Sequence, residues 1–304
     1  MPIIDFHLHL FSRVYFETVA ALSPQPGSVA ERLADVQKRL GIEIPPADLA
    51  AHVQRWLRSF DEHGVEHAAA FASVPEEIPV LSEARVLSGG RLTPFAMVNP
   101  RAPDCAQRVG KLIREQGFGG VLLFPALHHY RVSDAECAGL FSELDRHSAV
   151  AFVHCGELIV KLRDVLGIAR TADPKFADPL DIVSVAKANP RATFVIPHFG
   201  AGRFHETLEA GRSCENIVVD SSSSNSWIAR ADGGLDLQTV FARALEVFGS
   251  KRVLFGTDST TFPKGWQRAR LDEQRAVLTA LGASDGDQRA IFQGNSARLL
   301  KLGA

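Results

Sequence analysis

Two histidines lie one residue apart near the start of the chain, in the segment "IIDFHLH". Side chains alternate along a β-strand, so His7 and His9 point to one side of a strand while Leu8 points to the other. Neutral imidazole nitrogens are common ligands of divalent metal ions. A His-x-His pattern also arises by chance among ordinary core and surface histidines. The spacing therefore suggests a metal site that needs support from elsewhere in the chain.

Three further strand-like segments end in a side chain that can bind a metal or transfer a proton. These are His154 in "FVHCGE", His198 in "IPHFG" and Asp258 in "FGTDS". Beside the first two histidines, His154 would add a third nitrogen and Asp258 an oxygen. A position beyond these four ligands would then stay open for water, as expected of a catalytic rather than a structural metal site. The joint pattern predicts a metal centre more strongly than any one of these residues does.

These side chains meet only if their strands lie side by side. Eight short, apolar, β-rich segments run along the chain, and most are followed by a segment with helical spacing of apolar residues. They are "IIDFHLH", "VEHAAAFAS", "LTPFAMVN", "FGGVLLFP", "AVAFVHCG", "ATFVIPHFG", "ENIVVDSSS" and "KRVLFGTDS". This alternation predicts an α/β fold, a (β/α)8 TIM barrel whose site lies at the carboxyl ends of the strands. No Gly-x-Gly-x-x-Gly follows the first strand, which argues against a dinucleotide-binding sheet.

Two segments exceed what a bare barrel needs. Residues 11–47 are far longer than an ordinary βα loop and contain one predicted helix, so we expect them to cap the site. The C-terminal segment "SDGDQRAIFQGNSARLLKLGA" predicts one or two extra helices. No linker composition divides the chain, and residues 1–304 are predicted to form a single domain.

Composition argues against several classes of protein. The 304 residues are 46% hydrophobic and 22% charged, as in ordinary globular proteins. The formal net charge is -2 and no basic cluster is present, which argues against nucleic-acid binding. No secretory signal or long apolar run is apparent, so we expect a cytoplasmic protein without a membrane span. Four scattered cysteines predict neither a disulfide framework nor a cysteine zinc site.

The segments "DFHLH", "FVHCGE", "FVIPHFGAG", "VLFGTDS" and "GNSARLL" together resemble the amidohydrolase superfamily. The resemblance is to the branch that contains aminocarboxymuconate semialdehyde decarboxylase, resorcylate-type decarboxylases and lactone hydrolases, and it covers essentially the whole chain. It implies a metal-dependent enzyme that acts on a small molecule. The implied ligands of one divalent ion, most often zinc, are His7, His9, His154 and Asp258. His198 is implied to be a catalytic histidine beside the metal, and a homodimer is also implied.

One departure from the superfamily concerns the number of metal ions. Members with two metals carry a bridging lysine at the end of strand four, where this chain has "GVLLFPAL". We therefore expect a single ion. Zinc is the first candidate, and manganese stays open because a mixed imidazole and carboxylate set suits several divalent ions.

Such a site predicts chemistry at a carbonyl or carboxylate of a small organic substrate. A divalent ion activates bound water and polarises a coordinated oxygen. Asp258 would take the proton from that water, and His198 would stabilise the oxyanion or transfer a proton to the leaving group. We expect hydrolysis of a lactone, amide or ester. Non-oxidative decarboxylation of an aromatic or unsaturated carboxylate is the alternative, and a catalytically silent barrel is a third interpretation that the intact ligand set disfavours.

A carboxylate substrate would need a cationic partner in the loops at this end of the barrel. Candidates are Arg13, Arg131, Lys161, Arg163 and Arg203, together with His128 after strand four. Arg13 is favoured because it is nearest in sequence to the first two ligands. For each of these cationic side chains, the alternative is an ordinary surface charge that contacts solvent and does not bind substrate.

Two aspartates near the predicted ligands have less certain roles. Asp5 lies on the strand that carries His7 and His9, and is either a buried partner of the ligands or a polar residue of the barrel floor. Asp220 begins "DSSSSNSW" at the end of strand seven, where its carboxylate and the following hydroxyls could contact a polar substrate at the barrel mouth. A serine-rich turn with local hydrogen bonds is the favoured interpretation.

Overall fold

Eight parallel β-strands form the centre of the structure. The computed structural model describes residues 1–223, 227–230 and 234–303. The strands are β1 (Ile3–Leu8), β2 (Val65–Phe71), β3 (Leu92–Met97), β4 (Gly120–Leu123), β5 (Val150–Val153), β6 (Thr193–Ile196), β7 (Ile217–Asp220) and β8 (Val253–Leu254). Each strand pairs in parallel with the next one in chain order. The predicted (β/α)8 barrel is confirmed.

Main-chain hydrogen bonds connect the first strand to the last. The Phe6 N–H donates to Phe255 O at 2.8 Å, and the Asp258 N–H donates to His7 O at 2.9 Å. Leu8 also forms a parallel bridge with Ser259. Because of this closure, the loop after β8 lies beside the end of β1, although the two segments are far apart in sequence.

Aromatic side chains fill the inside of the barrel. The ring centroids of Phe71 and Phe152 are 4.5 Å apart, and those of Phe71 and Phe95 are 4.8 Å apart. The same rings, those of Phe71 and Phe152, lie 5.1 Å and 4.9 Å from the ring of His7. These phenylalanines are fully buried, so they stabilise the barrel and give the first histidine a rigid support.

Helices cover the outside of the barrel and its loops. They are α1 (Arg13–Ala21), α2 (Val29–Leu40), α3 (Leu49–His63), α4 (Ile78–Leu87), α5 (Cys105–Gln116), α6 (Pro125–His128), α7 (Ala138–Arg146), α8 (Lys161–Val165), α9 (Asp181–Ala188), α10 (Phe204–Ser213), α11 (Leu237–Phe248), α12 (Arg268–Ala280), α13 (Asp285–Arg289) and α14 (Asn295–Leu299). Capping side chains start several of them; in α2, Ser28 and Glu31 form a capping box and Gly41 ends the helix.

The segment of residues 11–47 contains two helices, α1 and α2, whereas the sequence predicted one. The helix that the sequence missed is α1, "RVYFETVAA", which is rich in aromatic and β-branched residues of modest helix propensity. Its stability comes from packing instead, because Tyr15 and Phe16 are buried against Leu162 and Val165 of α8. This insertion and α8 together form a cap, which we define as residues 11–44 and 158–168.

The C-terminal segment forms the predicted extra helices. Helix α13 continues through a π-helical turn, Ala290–Gly294, into α14. The Asn295 side-chain amide donates to the carbonyl oxygens of Ser250 and Val253, both at 2.8 Å. These bonds fix the last helix to the start of β8.

All four cysteines are buried and none forms a disulfide. Burial raises the pKa of the Cys155 thiol, so this residue next to His154 stays protonated. No thiolate is therefore available from Cys155 at the end of β5. Among the described helices, none is long and apolar enough to cross a membrane.

Candidate metal centre

Strand β1 and the loop after β8 bring three possible metal ligands together. His7 Nε2 lies 3.2 Å from His9 Nε2. Asp258 Oδ1 lies 3.7 Å from His7 Nε2 and 3.6 Å from His9 Nε2. In the part of the chain that the structure describes, this is the one group of three such ligand atoms close enough to share a metal ion.

The three donor atoms have the spacing that a metal ion requires. Ligands about 2.0–2.1 Å from zinc at tetrahedral angles lie roughly 3.3–3.5 Å from one another. The observed separations run from 3.2 to 3.7 Å. The carboxylate of Asp220 can only accept, so His7 Nδ1 carries a proton. In the neutral ring, Nε2 of His7 then has a lone pair, and this atom faces His9. A cation among these atoms gives that lone pair a partner.

The end of β7 orients the ring of His7. Asp220 Oδ2 lies 2.6 Å from His7 Nδ1, and Ser222 Oγ lies 2.8 Å from the same nitrogen. Burial favours the neutral form of both partners, but their attraction is stronger: the pKa of His7 is raised and the pKa of Asp220 is lowered. A carboxylate that accepts the other N–H of a metal-binding histidine fixes the tautomer of the ring and makes it a stronger metal ligand.

Ser73, just after β2, contacts the ring of His9 as Asp220 contacts that of His7. Its Oγ lies 2.8 Å from His9 Nδ1, and its N–H donates to Glu77 Oε2 at 2.9 Å. Glu77 Oε1 accepts two bonds of 2.8 Å, from the N–H and the hydroxyl of Ser12, the N-cap of α1. Burial lowers the pKa of His9 to about 3 and raises the pKa of Glu77 to about 7. Through these bonds, His9 is connected to the first helix of the cap.

Asp5 joins β1 to the loop that carries Asp258. Its Oδ1 accepts the N–H groups of His7 at 2.9 Å and of Thr257 at 3.0 Å. Its Oδ2 accepts the Thr257 hydroxyl at 2.5 Å and the Trp266 indole N–H at 2.7 Å. The carboxyl group is fully buried, and burial raises its pKa to about 6. Of the two roles considered from the sequence, Asp5 therefore has that of a buried partner of the ligand-bearing segments.

The backbone of Asp258 is in the left-handed region, with φ of 56°. This conformation is uncommon for residues other than glycine and recurs at functional sites. It directs the carboxylate toward both histidines of β1, while 26% of the side chain stays exposed. The Asp258 side chain thus faces both the two histidine nitrogens of β1 and the cavity.

His198 lies in the turn after β6 with its ring held in one orientation. Its Nδ1 is 2.8 Å from the carbonyl oxygen of Ser222, which can only accept, so the proton is on Nδ1 and Nε2 has a lone pair. The indole N–H of Trp227 donates to His198 O at 2.7 Å. Burial lowers the pKa of His198 and favours the neutral ring. The ring centroid is 5.0 Å from that of His7, next to the donor group.

His154, just after β5, lies beside these residues without joining the three converging donors. Its ring centroid is 5.3 Å from that of His198 and 5.5 Å from that of Phe124. Burial, reinforced by the neighbouring histidines, lowers its pKa well below the usual value. A neutral His154 ring therefore faces the site, and its assignment as a further metal ligand stays a prediction.

A cavity of about 660 Å³ opens in front of these residues. Its wall includes all five predicted metal-binding and catalytic residues, His7, His9, His154, His198 and Asp258. Aromatic side chains from several elements line the rest, among them Phe11, Tyr15, Phe124, Phe152 and Trp227. A polar end and aromatic walls suit a small planar molecule with a polar group.

The structure places four predicted substrate contacts outside the wall of this cavity. The three arginines bind nearby acids instead, in the pairs Arg13–Glu17 at 2.7 Å, Arg131–Asp181 at 2.8 Å and Arg203–Glu206 at 3.2 Å. The carbonyl of the fourth residue, His128, accepts a bond from Arg101. For Arg13, nearness in sequence to the first two candidate ligands does not bring the side chain into the cavity wall. Lys161 and Arg163, also considered from the sequence, do line the cavity.

Three residues of the site were missed or given another role from the sequence. Asp220 was assigned to a serine-rich turn, although its place at the end of β7 is the same edge that carries the histidines. Ser73 and Glu77 carried no signal, because the partner of Ser73 is His9, 64 residues earlier in the chain. The remainder of the "DSSSSNSW" segment, residues 224–226, lies outside the described residues.

Comparison with known proteins places this geometry in context. The profile of a protein family described as amidohydrolase matches residues 4–302. No curated protein matches the chain. A dihydroxybenzoic acid decarboxylase from Polaromonas, solved with bound manganese and the inhibitor 2-nitroresorcinol, has a TM-score of 0.67 at 15% identity, covering 100% of this chain and 98% of that one.

Two further solved structures share the fold. A 5-carboxyvanillate decarboxylase from Sphingomonas paucimobilis has a TM-score of 0.68 at 11% identity, covering 99% of both chains. An amidohydrolase from Burkholderia multivorans with bound zinc has a TM-score of 0.63 at 18% identity, covering 99% of this chain and 100% of that one. At these identities, the likeness establishes the fold.

Proposed function

This chain belongs to the amidohydrolase family, and on that premise we propose that it is a metal-dependent decarboxylase of a small aromatic or unsaturated carboxylate. The observation that carries the proposal is the convergence of His7, His9 and Asp258 at the open end of the barrel, facing an aromatic cavity. Two of the solved structures described above are decarboxylases of substituted benzoates, which supports it. Decarboxylation, the alternative from the sequence, now has more support than the hydrolysis expected first.

We propose that His7, His9 and Asp258 hold one divalent ion, with His154 close to it. Manganese and zinc are both candidates, since solved structures of this fold bind one or the other. Two imidazoles and a carboxylate suit either metal. When bound, such an ion polarises a carboxylate or carbonyl oxygen and lowers the pKa of a coordinated water.

Asp258 is proposed to supply the proton of the reaction. The protonated carboxyl group would transfer its proton to the substrate carbon that bears the carboxylate. The bond from that carbon to the carboxylate then breaks, its electron pair restores the ring or double bond, and carbon dioxide leaves. Solvent returns a proton to Asp258, so the net reaction consumes one proton. The 26% exposure of Asp258 is consistent with access to water.

His198 is proposed to orient the substrate. Because its Nδ1 donates to Ser222 O, its Nε2 can accept a hydrogen bond from a hydroxyl next to the substrate carboxylate. The lowered pKa of His198 keeps this nitrogen unprotonated near neutral pH. A substrate hydroxyl fixed in this way would place the carbon to be protonated close to Asp258.

Hydrolysis of a lactone, amide or ester is the second candidate. The amidohydrolase from Burkholderia multivorans with bound zinc favours it. In this reaction Asp258 would accept a proton from the attacking water, and His198 would hydrogen-bond the polar group of the substrate. The two candidates use the same residues and differ in the bond that is broken.

Substrate screening distinguishes these functions. The protein, loaded with manganese or zinc, is incubated with 2,6-dihydroxybenzoate, 5-carboxyvanillate and a set of aromatic lactones, while carbon dioxide and organic products are measured. We expect carbon dioxide release that falls about 100-fold or more in Asp258→Asn. The control Asp272→Asn removes an exposed carboxylate paired with Arg268 and should retain full activity. Lactone opening without carbon dioxide release would favour hydrolysis over decarboxylation. If the metal-loaded protein shows neither activity, both proposals are rejected.

A further inference from the structure

Among the described residues, five cationic side chains line the cavity, and they differ in their partners. They are Arg39, Lys161, Arg163, Arg230 and Lys264. Arg39 pairs with Asp35, and Arg230 pairs with Glu157. Within the described parts of the chain, no acid forms an ion pair with Arg163, which is only partly exposed. A guanidinium without an acid in a cavity wall is available to an anionic ligand.

The backbone that carries Arg163 is held firmly in place. Arg163 lies in α8, whose carbonyl groups accept bonds from the other half of the cap. Ser23 Oγ donates to Leu166 O at 2.6 Å, Gln25 Nε2 to Val165 O at 3.0 Å, and Arg39 Nη1 to Val165 O at 3.1 Å. A guanidinium on a fixed segment loses less entropy on binding a ligand than one on a free loop.

The other half of the cap adds a tyrosine to the cavity wall that Arg163 lines. Tyr15 of α1 is buried in the cluster that also contains Leu162 and Val165, on either side of Arg163 in sequence. Burial raises the pKa of Tyr15, so its hydroxyl keeps its proton. A guanidinium and a hydroxyl in one cavity wall can both donate to the same carboxylate.

Stacked rings connect this corner of the cavity to the metal ligands. The ring of Phe11 stacks on that of His9, with centroids 5.0 Å apart and planes 30° apart. The ring of Tyr15 stacks on Phe11 in turn, with centroids 4.0 Å apart and planes 4° apart. A flat substrate lying along these rings would have one end at the metal ligands and the other at Tyr15, in the cavity wall to which Arg163 also belongs.

We propose that Arg163, together with the Tyr15 hydroxyl of the same cavity wall, binds a second carboxylate of the substrate, at the end remote from the bond that breaks. The substrate is then a planar acid with two carboxylates, of which the one at the metal ligands is lost. This inference rests on the proposed function for the reacting end and adds the recognition of the other end. Lys161 and Lys264, at the exposed rim, add positive charge that attracts a dianion.

Binding of two probes that differ by one carboxylate tests the proposal. Isophthalate and benzoate are titrated by calorimetry into the whole metal-loaded protein. We expect isophthalate to bind at least about tenfold more tightly, because a charged hydrogen-bonded pair contributes on this scale. In Arg163→Gln that preference should disappear while benzoate binding changes little. Arg163→Lys, which keeps the charge but loses the two-pronged donor, should retain part of it.

A matched control uses a guanidinium of the same loop. Arg170 is exposed, pairs with Asp164 and lies outside the cavity wall, so Arg170→Gln removes the same charge nearby and should keep the preference for isophthalate. Equal binding of the two probes to the unmodified protein, or an unchanged preference in Arg163→Gln, would overturn the inference. Neither result depends on turnover. If the protein releases carbon dioxide but does not prefer isophthalate over benzoate, the proposed function stands and this inference fails. If it prefers isophthalate but releases no carbon dioxide, decarboxylation alone is rejected.

Discussion

Asp220 and Ser73 determine how the two histidines of the candidate metal centre are presented. Each contacts the Nδ1 of one imidazole, at 2.6 Å for Asp220 on His7 and 2.8 Å for Ser73 on His9. Both Nε2 atoms therefore converge on Asp258. The geometry of the donor atoms depends on these supporting residues as much as on the ligands.

Replacing the carboxylate behind His7 should weaken metal binding. In Asp220→Asn the buried pair loses its charge, and the amide no longer fixes the Nδ1 proton of His7. We expect metal affinity to fall about 10- to 100-fold, measured by competition with a chelator of known affinity. Asp272→Asn, at an exposed helical position, is the control and should bind metal normally. Unchanged affinity in Asp220→Asn would show that the pair does not support a ligand.

At the level of single residues, the convergence of the candidate ligands was easier to predict from the sequence than the residues that support them. His7 and His9 are two apart in one strand, so alternation alone predicts that they share a side. Ser73 and Glu77 belong to another strand end, and their role exists only because the barrel places β2 beside β1. Arg13 is the opposite case: its nearness in sequence to the first two candidate ligands suggested a substrate contact, whereas in the structure its side chain pairs with Glu17.

At the level of elements, Glu77 couples the cap to the barrel. Its carboxyl group accepts bonds from Ser12 at the start of α1 and from Ser73 after β2. It is 1% exposed, and burial raises its pKa to about 7. A buried carboxyl group with a raised pKa makes stability depend on pH.

The expected direction of this dependence follows from proton binding. Between about pH 4.5 and pH 7 the folded protein binds the Glu77 proton more tightly than the unfolded chain, so this residue's contribution to the free energy of unfolding falls as pH rises. Melting temperatures of the unmodified protein and of Glu77→Gln are recorded across this range. As pH rises, the melting temperature of the unmodified protein should fall relative to that of Glu77→Gln. The control is Glu76→Gln, at the exposed neighbouring position. Its difference in melting temperature from the unmodified protein should not change with pH. A constant difference for Glu77→Gln would refute the assignment.

The ends of β5 and β6 approach closely at Gly156, two residues after His154. Its φ is 70°, and a Cβ there would clash with the carbonyl oxygens of Gly200 and Ala201, next to His198. Gly41 has a similar φ of 63° but open space around it. We expect Gly41→Ala to cost about 1 kcal/mol of stability, from backbone strain alone.

The substitution Gly156→Ala should have two effects, because it also forces the loops of His154 and His198 apart. Thermal unfolding should show a larger loss of stability than for Gly41→Ala, and turnover per folded molecule should fall. Equal losses in the two variants, with normal turnover of Gly156→Ala, would mean that this close approach has no role in the site.

For the whole molecule, the order of strands and helices was predictable and the details of the cap were not. Eight apolar segments, each followed by a helical one, have few compact arrangements other than a barrel, and closure through Phe6 and Phe255 follows from it. Helix α1 of the cap escaped prediction because it is helical through its contacts with α8, far along the chain. We propose that residues 1–304 form one domain, as the sequence suggested.

Metal content measures the central claim most directly. Purified protein, loaded with manganese or zinc and freed of excess ion, is analysed by plasma mass spectrometry beside a His7→Ala/His9→Ala double variant and a His147→Ala control. His147 is a surface histidine that contacts Glu143, away from the cavity. We predict about one divalent ion per chain in the unmodified protein and the control, and none in the double variant. No bound metal in the unmodified protein, or equal metal in the double variant, would contradict the assignment of this centre.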